Sequence, residues 1–212
     1  MITDPTPSAE DDHVVAADDL DGLTYFSDDQ ACTVEALTGR LIPGSPDDPG
    51  AIEAGVVYYI DRTVAGFSSD LQLLYRQGIA ALNTFCAREF GSPFAGLGEQ
   101  PQDEVIGRFL DHPHEAAAGV DGREATAIVR LLAVVREHTI EGFFCDPVYG
   151  GNRGAVGWRL VGFPGAYWGY SEDQMGRGFD GHSLPIKTLA DLRSQLRQEK
   201  SSVGGDRPGK ER

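Results

Sequence analysis

Histidines, cysteines and clustered carboxylates are the residues here whose types suit proton transfer, metal ligation or nucleophilic attack. His112-Pro-His114-Glu115 places ligand-type side chains two apart, but the proline breaks the helix face that would aim them together. No complete ligand set follows nearby, so the pattern reads as a surface turn and not a metal site. His138, Glu141 and Asp146 fall close in sequence, and a histidine beside a carboxylate could form a general acid–base pair. The simpler expectation is a histidine near a helix C-terminus, bonded to the last carbonyls and favoured by the helix dipole. Cys32, Cys86 and Cys145 are far apart and form no CxxC pair, which excludes a disulfide framework and a zinc site of recognisable spacing. They read as buried or inert thiols of a reducing compartment. Cys145 stands apart because it lies in an aromatic-rich segment; in an exported protein it could form a disulfide to a partner.

Motifs for nucleophiles and nucleotides are missing. There is no GxSxG, and Gly150-Gly151-Asn152-Arg153-Gly154 is neither GxxxxGK[ST] nor GxGxxG after a strand. Arg153 and Arg159 could bind an anion, though such arginines more often stack on aromatic rings or pair with carboxylates. The expectation is therefore no catalytic constellation and no metal.

What the chain does concentrate is rings and glycines. Residues 141–170 hold both tryptophans, Trp158 and Trp168, among Phe143, Phe144, Tyr149, Phe163, Tyr167 and Tyr170. Glycine in an element interior costs roughly 0.5–1 kcal/mol relative to alanine, and Asp146-Pro147 followed by Tyr149-Gly150-Gly151-Asn152 is turn chemistry. The segment reads as an ordered recognition loop. Asp146 is expected to cap the turn, Gly150 and Gly151 to permit positive φ, and Asn152 to hydrogen-bond backbone across the loop. Two uses fit. Tyr149, Trp158, Tyr167 and Trp168 could stack on a carbohydrate, or the rings could anchor a protein interface, where Trp, Tyr and Arg carry most of the energy.

Helices must position this loop. Ser27 with Gln30 three residues later is a capping-box pattern, and Ala31, Val34, Leu37 and Leu41 follow at helical spacing. Further helices are predicted over about 51–64, from a cap at Ser69 or Asp70 to Gly91, over about 101–110 and over about 123–140. A last one spans 183–198. No segment shows a period-two alternation long enough for a sheet. The fold class is all-α: a bundle of five to six helices with one long glycine- and aromatic-rich loop. Residues 25–198 form the helical domain. Residues 1–24, rich in aspartate and without Lys or Arg, read as a disordered acidic arm, and 199–212 as a disordered tail.

The chain has 212 residues and a net charge of −15, which argues against nucleic acid or an anionic membrane as a partner. No apolar run approaches the roughly 20 residues of a membrane span, and the N-terminus lacks a basic n-region followed by an apolar stretch. The expectation is a cytoplasmic protein without membrane insertion, with periplasmic placement through a complex as the alternative.

A series of motifs resembles one family. Phe26-Ser27, Arg40-Leu-Ile-Pro43, Pro49-Gly-Ala51, Ala54-Gly-Val56, Tyr59-Ile-Asp61, His138-Thr-x-Glu-Gly-Phe-Phe144, Asp146-Pro-x-Tyr-Gly-Gly-Asn152, Gly157-Trp158 and Gly162-Phe163-Pro164-Gly165 are similar to gluconate 2-dehydrogenase subunit 3, in order over residues 25–170. The resemblance implies a non-catalytic small subunit with no cofactor of its own. It would assemble with, and help mature, a large FAD-binding dehydrogenase subunit of the glucose–methanol–choline (GMC) type, with a cytochrome c subunit as a further partner. Members commonly carry a twin-arginine export signal, and this N-terminus has no arginine pair. Docking would rest on Phe143, Phe144, Tyr149, Trp158, Phe163 and the turn from Asp146 to Asn152. The alternative is a stand-alone carbohydrate-binding or sugar-modifying protein.

Overall fold

The computed structural model describes residues 22–111 and 119–204, with side chains as far as Glu199. Most of the acidic arm, the His112-Pro-His114-Glu115 turn and the end of the tail lie outside the described residues. Among those described there are seven α-helices and no strand: α1 (Asp28–Leu41), α2 (Val56–Ala65), α3 (Gln72–Phe90), α4 (Glu99–Leu110), α5 (Gly122–Phe144), α6 (Val156–Val161) and α7 (Leu189–Gly204). The fold is all-α, and no described helix is long and apolar enough to cross a membrane.

Local sequence explains most boundaries. Ser27 and Gln30 close both halves of the capping box that starts α1. Gly55 sits in the left-handed region at φ 65°, which holds residues 51–55 in turns and starts α2 five residues later than its periodicity predicts. Asp121 caps α5 through the N–H groups of Arg123 and Glu124. Helix α5 is the axis of the fold and packs against α1, α2, α3, α4 and α6. Its closest neighbour is α3, where Gly78 meets Leu131 with no room for a Cβ. Tyr75, Phe85, Phe109, Ile128, Leu131, Leu132 and Phe143 are fully buried between these helices.

Further boundaries differ from the sequence reading, and α3 starts at Gln72 without a side-chain cap from Ser69 or Asp70. Helix α5 continues past Ile140 to Phe144. Helix α6 lies inside the segment read as loop; six residues between left-handed Ala155 and Gly162 are too few to show a period. Helix α7 starts at Leu189, where Thr188 and Asp191 exchange capping bonds, and runs into the segment assigned to the tail.

Order also begins within the acidic arm. The buried Asp61 carboxylate on α2 accepts the backbone N–H groups of Thr24, Tyr25 and Phe26, the last at 2.7 Å. That clamp seats Phe26 in the core against Tyr75.

Candidate functional site

The motif residues gather at the C-terminal end of α5, where a helix leaves carbonyls without intrahelical partners. Side chains from the following loop fill that need. Asn152, 0% exposed, donates from Nδ2 to Cys145 O at 2.8 Å and accepts from Gly157 N–H at 2.8 Å. The indole N–H of Trp158 donates to Phe144 O at 2.7 Å. Asp146 accepts Val148 N–H on one oxygen and Leu189 N–H on the other, tying the turn to α7. Pro147 opens a short 3-10 turn to Tyr149 that Gly150 ends at φ 101°.

Gly151 has no positive φ, contrary to the sequence expectation. It is required for close approach: a Cβ there would collide with Gly142 O, and one at Gly157 with Phe143 O. The glycines therefore let the loop lie flat on the helix backbone. Pro164 and Gly165 are buried, and the Lys187 backbone pairs with this stretch: its N–H donates to Pro164 O at 2.9 Å and its carbonyl accepts the Ala166 N–H at 2.6 Å. Arg153 stacks its guanidinium over Tyr58 at 4.0 Å and donates its backbone N–H to Ala54 O, which locks the loop to α2.

This packing corrects the assignment of docking rings. Phe143 is fully buried and Trp158 only 5% exposed, so both belong to the chain's own interior. Trp158 packs edge-on against the half-exposed Phe163 at 5.1 Å. The four-ring carbohydrate patch is broken for the same reason. Trp158 points inward, Tyr149 lines one hollow, and Tyr167 stacks on Tyr170, which lines another.

The acid–base trio also separates. His138 lies six residues before the end of α5, is buried, and meets Tyr75 Oη through Nδ1 at 2.8 Å instead of the last carbonyls. Burial lowers its pKa against the opposing pull of Glu141 and Glu137. Burial also raises that of the Tyr75 phenol. With the phenol O–H as donor, His138 accepts at Nδ1 and carries its proton on Nε2. Glu141 accepts from Tyr59 Oη at 3.1 Å. Among the described residues no cluster of three His, Cys, Asp or Glu could hold a metal. Cys32 is exposed, not buried, while burial pushes the Cys86 thiol to about 12. Cys145, the candidate for an intersubunit disulfide, is likewise pushed to about 12 by burial and donates to Gly142 O. A thiol held protonated in this way is a poor participant in exchange.

What the loop leaves on the surface is an apolar groove of roughly 760 Å³ between α2 and the end of α5. Tyr59, Arg62, Thr63 and Phe67 form one wall, Ile140, Glu141, Phe144 and Cys145 the other, and Asp146, Val148 and Tyr149 close the end. Phe67 is 98% exposed, and Ile140 and Tyr149 more than half exposed. Contiguous exposed apolar surface of this kind marks interaction sites. Phe67, in the turn after α2, and Ile140, on α5, carry no signal in sequence, because an isolated apolar residue cannot be told from a core one.

A helical body whose loop caps its central helix and whose flank carries an open apolar groove defines a small all-α protein of the surface-presenting kind. The family model described as gluconate 2-dehydrogenase subunit 3 matches residues 28–165, from α1 to the Gly162–Gly165 motif, and the chain belongs to that family. Comparison with curated proteins and with solved structures gave no match.

Proposed function

We propose that this chain is the non-catalytic accessory subunit of an FAD-dependent dehydrogenase complex acting on gluconate or a related sugar. It assembles with and stabilises a large flavin-binding subunit of the GMC type, which holds the FAD and performs the oxidation. A cytochrome c subunit is a further partner of the complex. The observation that carries this reading is the apolar groove beside the family motif, since a chain that keeps Phe67 in water gains by covering it. Membership in a family defined as a dehydrogenase subunit supports it. So does the fate of the polar residues, because His138, Asp146 and Asn152 are each committed to internal hydrogen bonds.

Co-expression tests the proposal. The flavin subunit is produced with and without this chain, and its yield, bound flavin and oxidation of gluconate and glucose are measured. All three should fall when this chain is withheld. Equal flavin content and activity without it, or oxidation of a sugar by this chain alone, would overturn the reading.

A further inference from the structure

The groove has one exposed charge at its rim. Glu141 is exposed, and among the described residues it accepts the Tyr59 hydroxyl and takes part in no ion pair. The other charged groups of the walls, Asp146 and Arg62, are less exposed than Glu141. Asp146 is buried with both oxygens engaged by backbone N–H groups. The Arg62 guanidinium is folded in, its Nη1 buried and packed where a side chain on Gly150 would stand. An apolar trough bordered by a carboxylate, on a chain of net charge −15, recognises an apolar plug with a cation beside it.

We infer that the groove seats a segment of the flavin-binding partner that presents an apolar side chain between Phe67, Ile140 and Tyr149 and a neighbouring Arg or Lys to Glu141. This rests on the accessory-subunit reading and adds the face and the chemistry of docking. A second copy of this chain is a poor occupant, because an isologous contact would bring two strongly acidic surfaces together and set Glu141 near its own copy. An anionic lipid surface is repelled by the same charge.

A photo-crosslinking phenylalanine analogue at position 67, in the full chain co-expressed with the flavin subunit, tests the inference. Leu73, an exposed residue lining a different hollow, carries the control probe. Probe 67 should link to the flavin subunit at a segment holding an apolar residue next to Arg or Lys, and probe 73 should not. Glu141→Lys should weaken the complex tenfold or more, and Glu141→Gln less, with the difference shrinking as salt is raised. A complex that forms normally while probe 67 links to nothing, to a second copy or to lipid would overturn the inference and leave the accessory reading standing. So would unchanged affinity in Glu141→Lys. Failure of the unsubstituted chain to form any flavoprotein complex would overturn both.

Discussion

Asp146 and Leu189 are joined across 43 residues: the Asp146 Oδ2 accepts the Leu189 N–H at 2.8 Å while Oδ1 caps the turn through Val148. One carboxylate thus links the family motif to the first residue of α7, which lies beyond the matched segment. Asp146→Ala should cost about 1–3 kcal/mol, the usual penalty for stripping a partner from buried polar groups. Asp146→Asn keeps one acceptor and should cost less. Hydrogen exchange locates the effect: amides 148 and 189 should lose protection together.

Asn152 and Trp158 act on neighbouring carbonyls of the same helix end, Cys145 O and Phe144 O. Asn152→Ala removes a donor and an acceptor from a fully buried site and leaves alanine at φ 45°. About 2–4 kcal/mol should be lost. Trp158→Phe keeps the ring contact with Phe163 but not the indole donor, so its cost should be smaller, about 1–2 kcal/mol. Urea unfolding followed by circular dichroism orders the two.

Gly157 lies against Phe143 O, and only backbone movement could admit a side chain there. Gly157→Ala should destabilise by about 3 kcal/mol, at the upper end of overpacking. Gly169 meets nothing within 4 Å, so Gly169→Ala should stay within about 0.5 kcal/mol of the parent. Similar melting of the two variants would show that the loop does not lie against α5 in solution.

These contacts set the limit of what residues alone disclose. Capping at Ser27–Gln30 and the helical stripes of α1, α3 and α5 are local patterns, and they read directly into structure. The turn role of Asp146 is local too. The inward turn of Trp158 is not, because it depends on α5 continuing to Phe144 and presenting carbonyls that periodicity, fading at Ile140, does not reveal. Exposure is equally invisible: Phe144 and Phe143 are adjacent rings of one type, yet one lines the groove and the other fills the core. His138 was placed near a helix end for the same reason, and longer α5 moves it into the interior.

The buried His138 gives stability a pH dependence whose sign follows from its lowered pKa. The unfolded chain, titrating near the ordinary 6.5, binds a proton more readily than the folded one. The histidine's contribution is therefore complete above that value and is lost as pH falls through the lower folded value. Urea midpoints should drop from about pH 7 toward pH 5, before carboxylates dominate. His138→Gln, which preserves an acceptor for Tyr75, should flatten that slope.

Asp61 had no role assigned from sequence, yet it holds three consecutive N–H groups from a segment more than thirty residues earlier. Bonds to a carboxylate are the stronger kind, so Asp61→Asn should cost about 2–4 kcal/mol. Much of that cost should come from unseating Phe26, whose ring packs on Tyr75 and whose N–H is one of the three. If so, Asp61→Asn and Phe26→Ala weaken the same docked segment, and the double variant should lose clearly less stability than the sum of the single losses. Additive losses would mean that the core holds Phe26 without the clamp, and that Asp61 contributes through α2 alone.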